Sequence, residues 1–178
     1  MYEVNHKEIV EREEKGEILI GIEPAVARRF FTDTNHRVVQ QEIGEALFVE
    51  RFFVKAFFWL AVLSLLAGIV ASIFAIKWYS VLAIPLMVVS WFVLGGMASM
   101  GSQKLGAAIG SVIICFVLAY YLIDKGIAVT IWLTLLPLPY FLDRLTYKSA
   151  TVFLRCLSIR NERAFNLLFN KGIFLREV

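Results

Sequence analysis

Residues 56–76 read AFFWLAVLSLLAGIVASIFAI, twenty-one positions without an Asp, Glu, Lys, Arg or His. A helix rises about 1.5 Å per residue, so this run is long enough for the roughly 30 Å of hydrocarbon in a bilayer. Lys77-Trp78-Tyr79 closes it, and a second apolar stretch of 23 positions follows at residues 80–102. Beyond Gln103-Lys104 lies a third, residues 105–123, with 19 positions. Beyond Asp124-Lys125 a fourth, residues 126–142, has only 17 and carries Pro137 and Pro139. Lipid offers no partner to a bare N–H or C=O, so each run must be helical, and the alternation of a lipid-facing barrel strand is absent. The expected fold class is mostly α. It is a polytopic membrane protein with four antiparallel transmembrane helices and a small cytoplasmic cap formed by both tails.

Composition points the same way. The chain has 178 residues, 59% of them hydrophobic and 19% charged, against about 45–50% and 25% in a soluble domain. With the charges confined to a few places, this excludes a water-soluble globule, a disordered chain and a disulfide scaffold. Three regions result: an amino-terminal segment (1–50), a four-helix membrane domain (51–144) and a carboxyl-terminal amphipathic helix with a short strand (145–178).

The turns between runs are two or three residues long, so consecutive helices must be antiparallel neighbours. An even number of crossings puts both tails on one side. Residues 1–55 hold 8 basic residues, residues 143–178 hold 7 and the middle turn holds Lys104, whereas the opposite side has only Lys77 and Lys125. Basic residues mark the cytoplasmic side. Both ends are therefore expected in the cytoplasm, at a bacterial-type cytoplasmic membrane, with Arg51, Lys55, Arg144 and Lys148 flanking the lipid. Trp78, Tyr79, Tyr140 and Tyr147 are expected at headgroup level and Trp91 and Trp132 as gap fillers. The opening residues, Met1-Tyr2-Glu3-Val4-Asn5-His6, are polar, so the first span is expected to act as the insertion signal.

Apolar helices gain little by leaving lipid for each other, so close packing depends on small residues. Ser64, Gly68 and Ser72 recur at steps of four; Gly95, Gly96 and Ser99 follow in the second run, and Gly106 and Gly110 in the third. These eight are the expected helix-packing or oligomer contacts. Pro137 and Pro139 each remove a donor and bias the preceding residue away from helix. They form a helix break, with the fourth helix kinking or ending near Leu136 as an ordinary exit rather than a gate.

The tails are patterned too. Residues 5–15 suit a short charged helix closed by Gly16, residues 18–22 a strand, and Pro24 the first turn of a second helix. Thr32-Asp33-Thr34-Asn35 stops that helix and caps another beginning at His36. In the other tail, Lys148, Thr151, Arg155, Ser158, Glu162 and Asn166 recur at helical steps, with Ala150, Phe153, Leu157, Ala164 and Leu168 away from them. Lys171-Gly172 should end this single amphipathic helix. Ile18–Ile22 and residues 173–175 are expected to pair, shielded by the helix. Arg144, Lys148, Arg155, Arg160 and Arg163 are the candidate contacts for lipid headgroups or a partner.

No charge lies inside the four runs, which disfavours proton-coupled transport and intramembrane hydrolysis. The span hydroxyls are expected to bond to carbonyls one turn back. His6 and His36 are expected to be solvated, and Cys115 and Cys156 to form neither a disulfide nor a metal site. No catalytic, cofactor-binding or metal-binding residues are expected, and nucleic acid is excluded as a partner. The leading expectation is a non-enzymatic membrane subunit, in contact with membrane lipids and forming a homo-oligomer or a membrane protein complex. A homo-oligomeric pore or membrane-perturbing effector, lined by Ser64 and Ser72 or by the broken helix, is the second. An interfacial lipid-modifying enzyme using Asp143 with Arg144 is the third.

Overall fold

A computed structural model of the chain describes residues 6–99, 105–169 and 173–177. Gln103, Lys104, Lys171 and Gly172, for which a turn and a helix cap were expected, lie outside the described residues, as do the side chains of His36 and Ser99. The chain divides into two compact units, Met1–Val54 with Lys148–Val178, and Lys55–Tyr147.

The first unit is built from both ends of the chain. It contains α1 (His6–Glu14), β1 (Ile18–Ile22), α2 (Pro24–Thr32), α3 (His36–Ile43), the first turns of α4 (Phe48–Ile76), the last part of α8 (Leu138–Arg160), α9 (Glu162–Phe169) and β2 (Ile173–Glu177). Local chemistry sets each end. Gly16 takes φ +73°, Glu17 N–H donates to the Arg12 carbonyl at 3.0 Å and Gly16 N–H to that of Glu13 at 2.9 Å, which stops α1. Pro24 opens α2, where its missing N–H has no intrahelical partner to serve. Asn35 caps α3, its side-chain oxygen accepting from Arg37 N–H at 3.1 Å. Gly44, at φ +77°, ends that helix.

β1 and β2 pair antiparallel, with Ile20 opposite Leu175 and Ile22 opposite Ile173. Two strands alone are marginal in water. Here Ile18, Ile20 and Ile22 are buried in a core with Ala27, Phe31, Leu154, Leu157, Phe165 and Leu168. The expected pairing and its helical shield are thus both present.

The amphipathic helix of this tail differs from the expected single piece. It breaks at Asn161, whose side-chain oxygen accepts from Ala164 N–H at 3.1 Å while its amide nitrogen donates to the Ile43 carbonyl at 3.2 Å. An Asn that caps a new helix and binds a neighbouring one outweighs continuation of the old one. Ser158, placed on the polar face by periodicity, is fully buried, its hydroxyl donating to the Arg155 carbonyl. His6 is not solvated as expected: Nε2 lies 2.9 Å from the Ser158 carbonyl and the ring packs 5.1 Å from that of Phe165.

The second unit contains the rest of α4, a tight 3-10 turn at Lys77–Tyr79, α5 (Ser80–Ser99), α6 (Leu105–Tyr121), a second 3-10 turn at Ile123–Lys125, α7 (Ile127–Leu135) and the start of α8. At about 1.5 Å per residue, α4 is about 43 Å long, α5 about 30 Å and α6 about 25 Å. The helical stretches Phe48–Met97 and Ile127–Arg160 are each long and apolar enough to cross a membrane, and Leu105–Tyr121 is a shorter apolar helix. The first stretch is not straight: Lys77 takes φ +47°, and Gly68 and Met87 approach each other from either side of the turn, so α4 and α5 form a hairpin.

Leu136 is not the end of the fourth run. Leu136 N–H donates to the Trp132 carbonyl at 3.0 Å, and Pro137 has no N–H to continue the ladder. Two residues later the helix restarts, Phe141 N–H donating to the Pro137 carbonyl at 3.0 Å, and α8 runs on to Arg160. Pro139 sits in the first turn of α8, where a proline is tolerated, so the break is a joint between two helices and not an exit.

Phe165, with Phe31, is among the largest side chains fully buried in the core of the first unit. Phe165→Ala should destabilise that unit by about 3–5 kcal/mol and strip hydrogen-exchange protection from the amides of Ile18–Ile22. Protection equal to that of the parent chain would show that the sheet does not depend on this core.

Candidate functional site

The second unit packs with the polarity of a soluble protein reversed. Along α4 the inward positions are Ala61, Ser64, Leu65, Gly68 and Ser72, whereas Leu63, Leu66, Val70, Ile73 and Phe74 face out; Ser72 is 0% exposed and Phe74 69%. Each hydroxyl is satisfied within its helix, Ser64 donating to the Ala61 carbonyl at 2.9 Å and Ser72 to that of Ile69 at 2.7 Å. The pattern continues with Ser111 to Ala108 at 2.8 Å and Thr134 to Ile131 at 2.8 Å. Such self-satisfied hydroxyls let backbones approach without an orphaned donor.

The structure separates the predicted small residues into two groups. A Cβ added at Gly68 would meet Met87 Cε at 3.0 Å and Leu135 Cβ at 3.9 Å, and one added at Gly95 would meet Asp143 Oδ2 at 3.1 Å. These two glycines, with Ser64 and Ser72, serve contacts inside the chain. A methyl at Gly96, Gly106 or Gly110 would meet no heavy atom of another part of the described residues within 4 Å. Of Ser99 the backbone alone is described, closing α5.

Asp143, the carboxylate of the interfacial-enzyme expectation, is 5% exposed, and Arg144 beside it, expected to flank the lipid, is 3% exposed. The carboxylate lies against the glycine surface of α5, and the guanidinium sits 5.0 Å above the Tyr140 ring, a cation–π distance. Neither charge is therefore at the surface, where headgroup contact and interfacial catalysis had placed them. Tyr147, expected at headgroup level, is buried as well, whereas Trp78 and Tyr79 are exposed at their turn. Periodicity missed Asp143 because it stands one residue beyond an apolar run. The signal that pointed to it was Gly95, where only the absence of a side chain makes room.

A cavity of about 270 Å³ lies within the same unit. One face of α5 supplies Leu86, Met87, Ser90, Trp91 and Leu94; α4 adds Leu65 and α6 adds Ser111 and Cys115. The helix joint closes it with Leu136, Pro137, Pro139 and Tyr140. Pro137 and Pro139, predicted as a helix break, are thus also cavity wall. The indole N–H groups of Trp91 and Trp132 are shielded from solvent and have no hydrogen-bond partner among the described residues.

The remaining predicted residues lie in the first unit. Arg155 pairs with Glu13, Nε at 3.1 Å and Nη2 at 2.5 Å from the same carboxylate oxygen. Arg160 pairs with Glu45 and, at 3.5 Å, with Glu50. Lys148 and Arg163 are exposed. On α1, a hydrogen bond from Lys15 holds the Glu11 carboxyl below its ordinary range, with the ammonium charge adding to it. Cys115 and Cys156 are free thiols, and no group of three or more His, Cys, Asp or Glu is arranged for a metal among the described residues.

No family model matches the chain, and no curated protein and no solved structure does.

Gly95→Leu should lower the melting temperature in detergent, since overpacking a close contact costs about 1–3 kcal/mol. Gly96→Leu, where an added Cβ meets no atom of another part of the described residues within 4 Å, should leave it within a degree or two. Equal losses at both positions would refute the division of the glycines into two groups.

Proposed function

We propose that the chain is a non-enzymatic integral membrane subunit that crosses the bilayer four times, holds both ends in the cytoplasm, and assembles with itself or with a partner membrane protein. The reversed packing of the second unit supports this reading most directly. Val81, Leu82, Leu86, Val89, Phe92 and Val93 on α5 are exposed, as are Ile113, Ile114, Phe116 and Val117 on α6. In water such a surface far exceeds the apolar patch of a few hundred Å² that a soluble monomer tolerates. In hydrocarbon it is the ordinary outer face of a helix.

The oligomer contact in this reading is α6. Gly106 and Gly110 stand one turn apart with no heavy atom of another part of the described residues near either, and Ala107 and Ile113 are exposed beside them. Small residues at this spacing let a second backbone approach closely. Of the candidate headgroup contacts, Arg155 and Arg160 are engaged in ion pairs, and Lys148 and Arg163 are exposed toward a partner or lipid headgroups.

The pore reading loses ground because Ser64 and Ser72 are buried and bonded within their own helix. The interfacial-enzyme reading loses ground because Asp143 and Arg144 are buried.

Mass measurement in detergent should give a multiple of the 20.2 kDa protomer, reduced by Gly106→Ile with Gly110→Ile to a single protomer of unchanged helicity. A parent chain that is monomeric in detergent and uncrosslinked in vesicles would refute self-assembly, leaving only a stoichiometric partner that co-purifies.

A further inference from the structure

We infer that the cavity at the proline joint is a binding site for one fatty-acyl chain entering from the surrounding lipid, an inference that rests on the membrane reading above. Three observations carry it. The first is shape: Leu86, Met87, Ser90, Trp91 and Leu94 lie on one face of α5, and the eight steps from 86 to 94 span about 12 Å.

The second is chemistry. The wall is chiefly leucine, methionine, proline and aromatic carbon, with Cys115, Ser90 and Ser111 among it, and the Ser111 hydroxyl is already donated to the Ala108 carbonyl. Apolar cavities of about 150 Å³ stay dry and take up apolar molecules. Left empty, the lining loses dispersion contacts on one side, and in a bilayer the filler at hand is hydrocarbon. The third is polar. The Trp91 indole N–H, shielded and without a partner among the described residues, is a donor only. A carboxyl oxygen at the head of a fatty acid supplies the missing acceptor.

The joint borders the cavity. Pro137 and Pro139 have no N–H, so two residues of the fourth run leave the helical ladder between α7 and α8. Leu136 and Tyr140, on either side of the break, both line the cavity.

The test uses the full chain in dioleoylphosphatidylcholine vesicles with Trp91 as the sole tryptophan, Trp59, Trp78 and Trp132 being replaced by Phe. Added 2-bromopalmitate, whose bromine sits on the carbon next to the carboxyl and quenches indole fluorescence on contact, should quench Trp91 saturably. Unlabelled oleate should reverse the quenching. Cys115→Phe, which fills the cavity, should weaken the apparent affinity at least tenfold, and Ser111→Leu gives a second filler should the first not fold. A matched chain with Trp59 alone, an exposed position on α4, should be quenched in proportion to the added lipid without saturation. Trp91 quenching that is likewise unsaturable, or indifferent to both fillers, would overturn the acyl-chain site. No quenching at Trp59 would instead overturn the membrane reading.

Discussion

A side chain gains by leaving its solvent only when the solvent is less like it than the interior is. On the membrane reading proposed above, the second unit obeys this rule with hydrocarbon as its solvent. Burying leucine there gains little, and the core of α4 is therefore alanine, serine and glycine, with the large side chains turned outward. Contact between helices then rests on backbone approach. Gly68 admits Met87, and Gly95 admits the Asp143 carboxylate. The Ser64 and Ser72 hydroxyls that accompany these glycines are satisfied by carbonyls of their own helix and call for no water.

The first unit follows the opposite rule in the same chain. Its interior is Ile20, Phe31, Leu154, Leu157 and Phe165, the content of a water-driven core. Two strands from the two ends of the chain depend on that core. The ion pairs Arg155 with Glu13 and Arg160 with Glu45 join the amino and carboxyl segments. The half-exposed arginines make these pairs selectors of which segments meet more than large sources of stability. Glutamates of the amino segment thus meet arginines of the carboxyl segment in particular contacts.

The large features were legible because they follow from solvent and from single residues. Gaps in the charge pattern mark the apolar helices; Gly16, Pro24, Asn35 and Gly44 mark the ends of the small ones; and alternating isoleucines mark β1. What was not legible depends on tertiary partners. Asn161 breaks the carboxyl helix because a carbonyl of α3 is within its reach, which periodicity does not register. His6 is drawn in by a carbonyl on α8 and a ring on α9. The prolines signalled a break, but whether the helix would resume, and what would fill the space beside it, depended on α5 and α6. Likewise the eight small residues looked alike in sequence, and only their neighbours separate those used within the chain from those left open.

The central claim is that the outer surface of the second unit is immersed in hydrocarbon. The most direct measurement is paramagnetic accessibility at nitroxide labels placed singly at Leu66, Val93, Ile113 and Phe116 in the protein reconstituted in vesicles. The account predicts strong relaxation by oxygen, which concentrates in lipid, and little by a water-soluble nickel chelate at all four. Greater relaxation by the nickel chelate than by oxygen at these positions would contradict it.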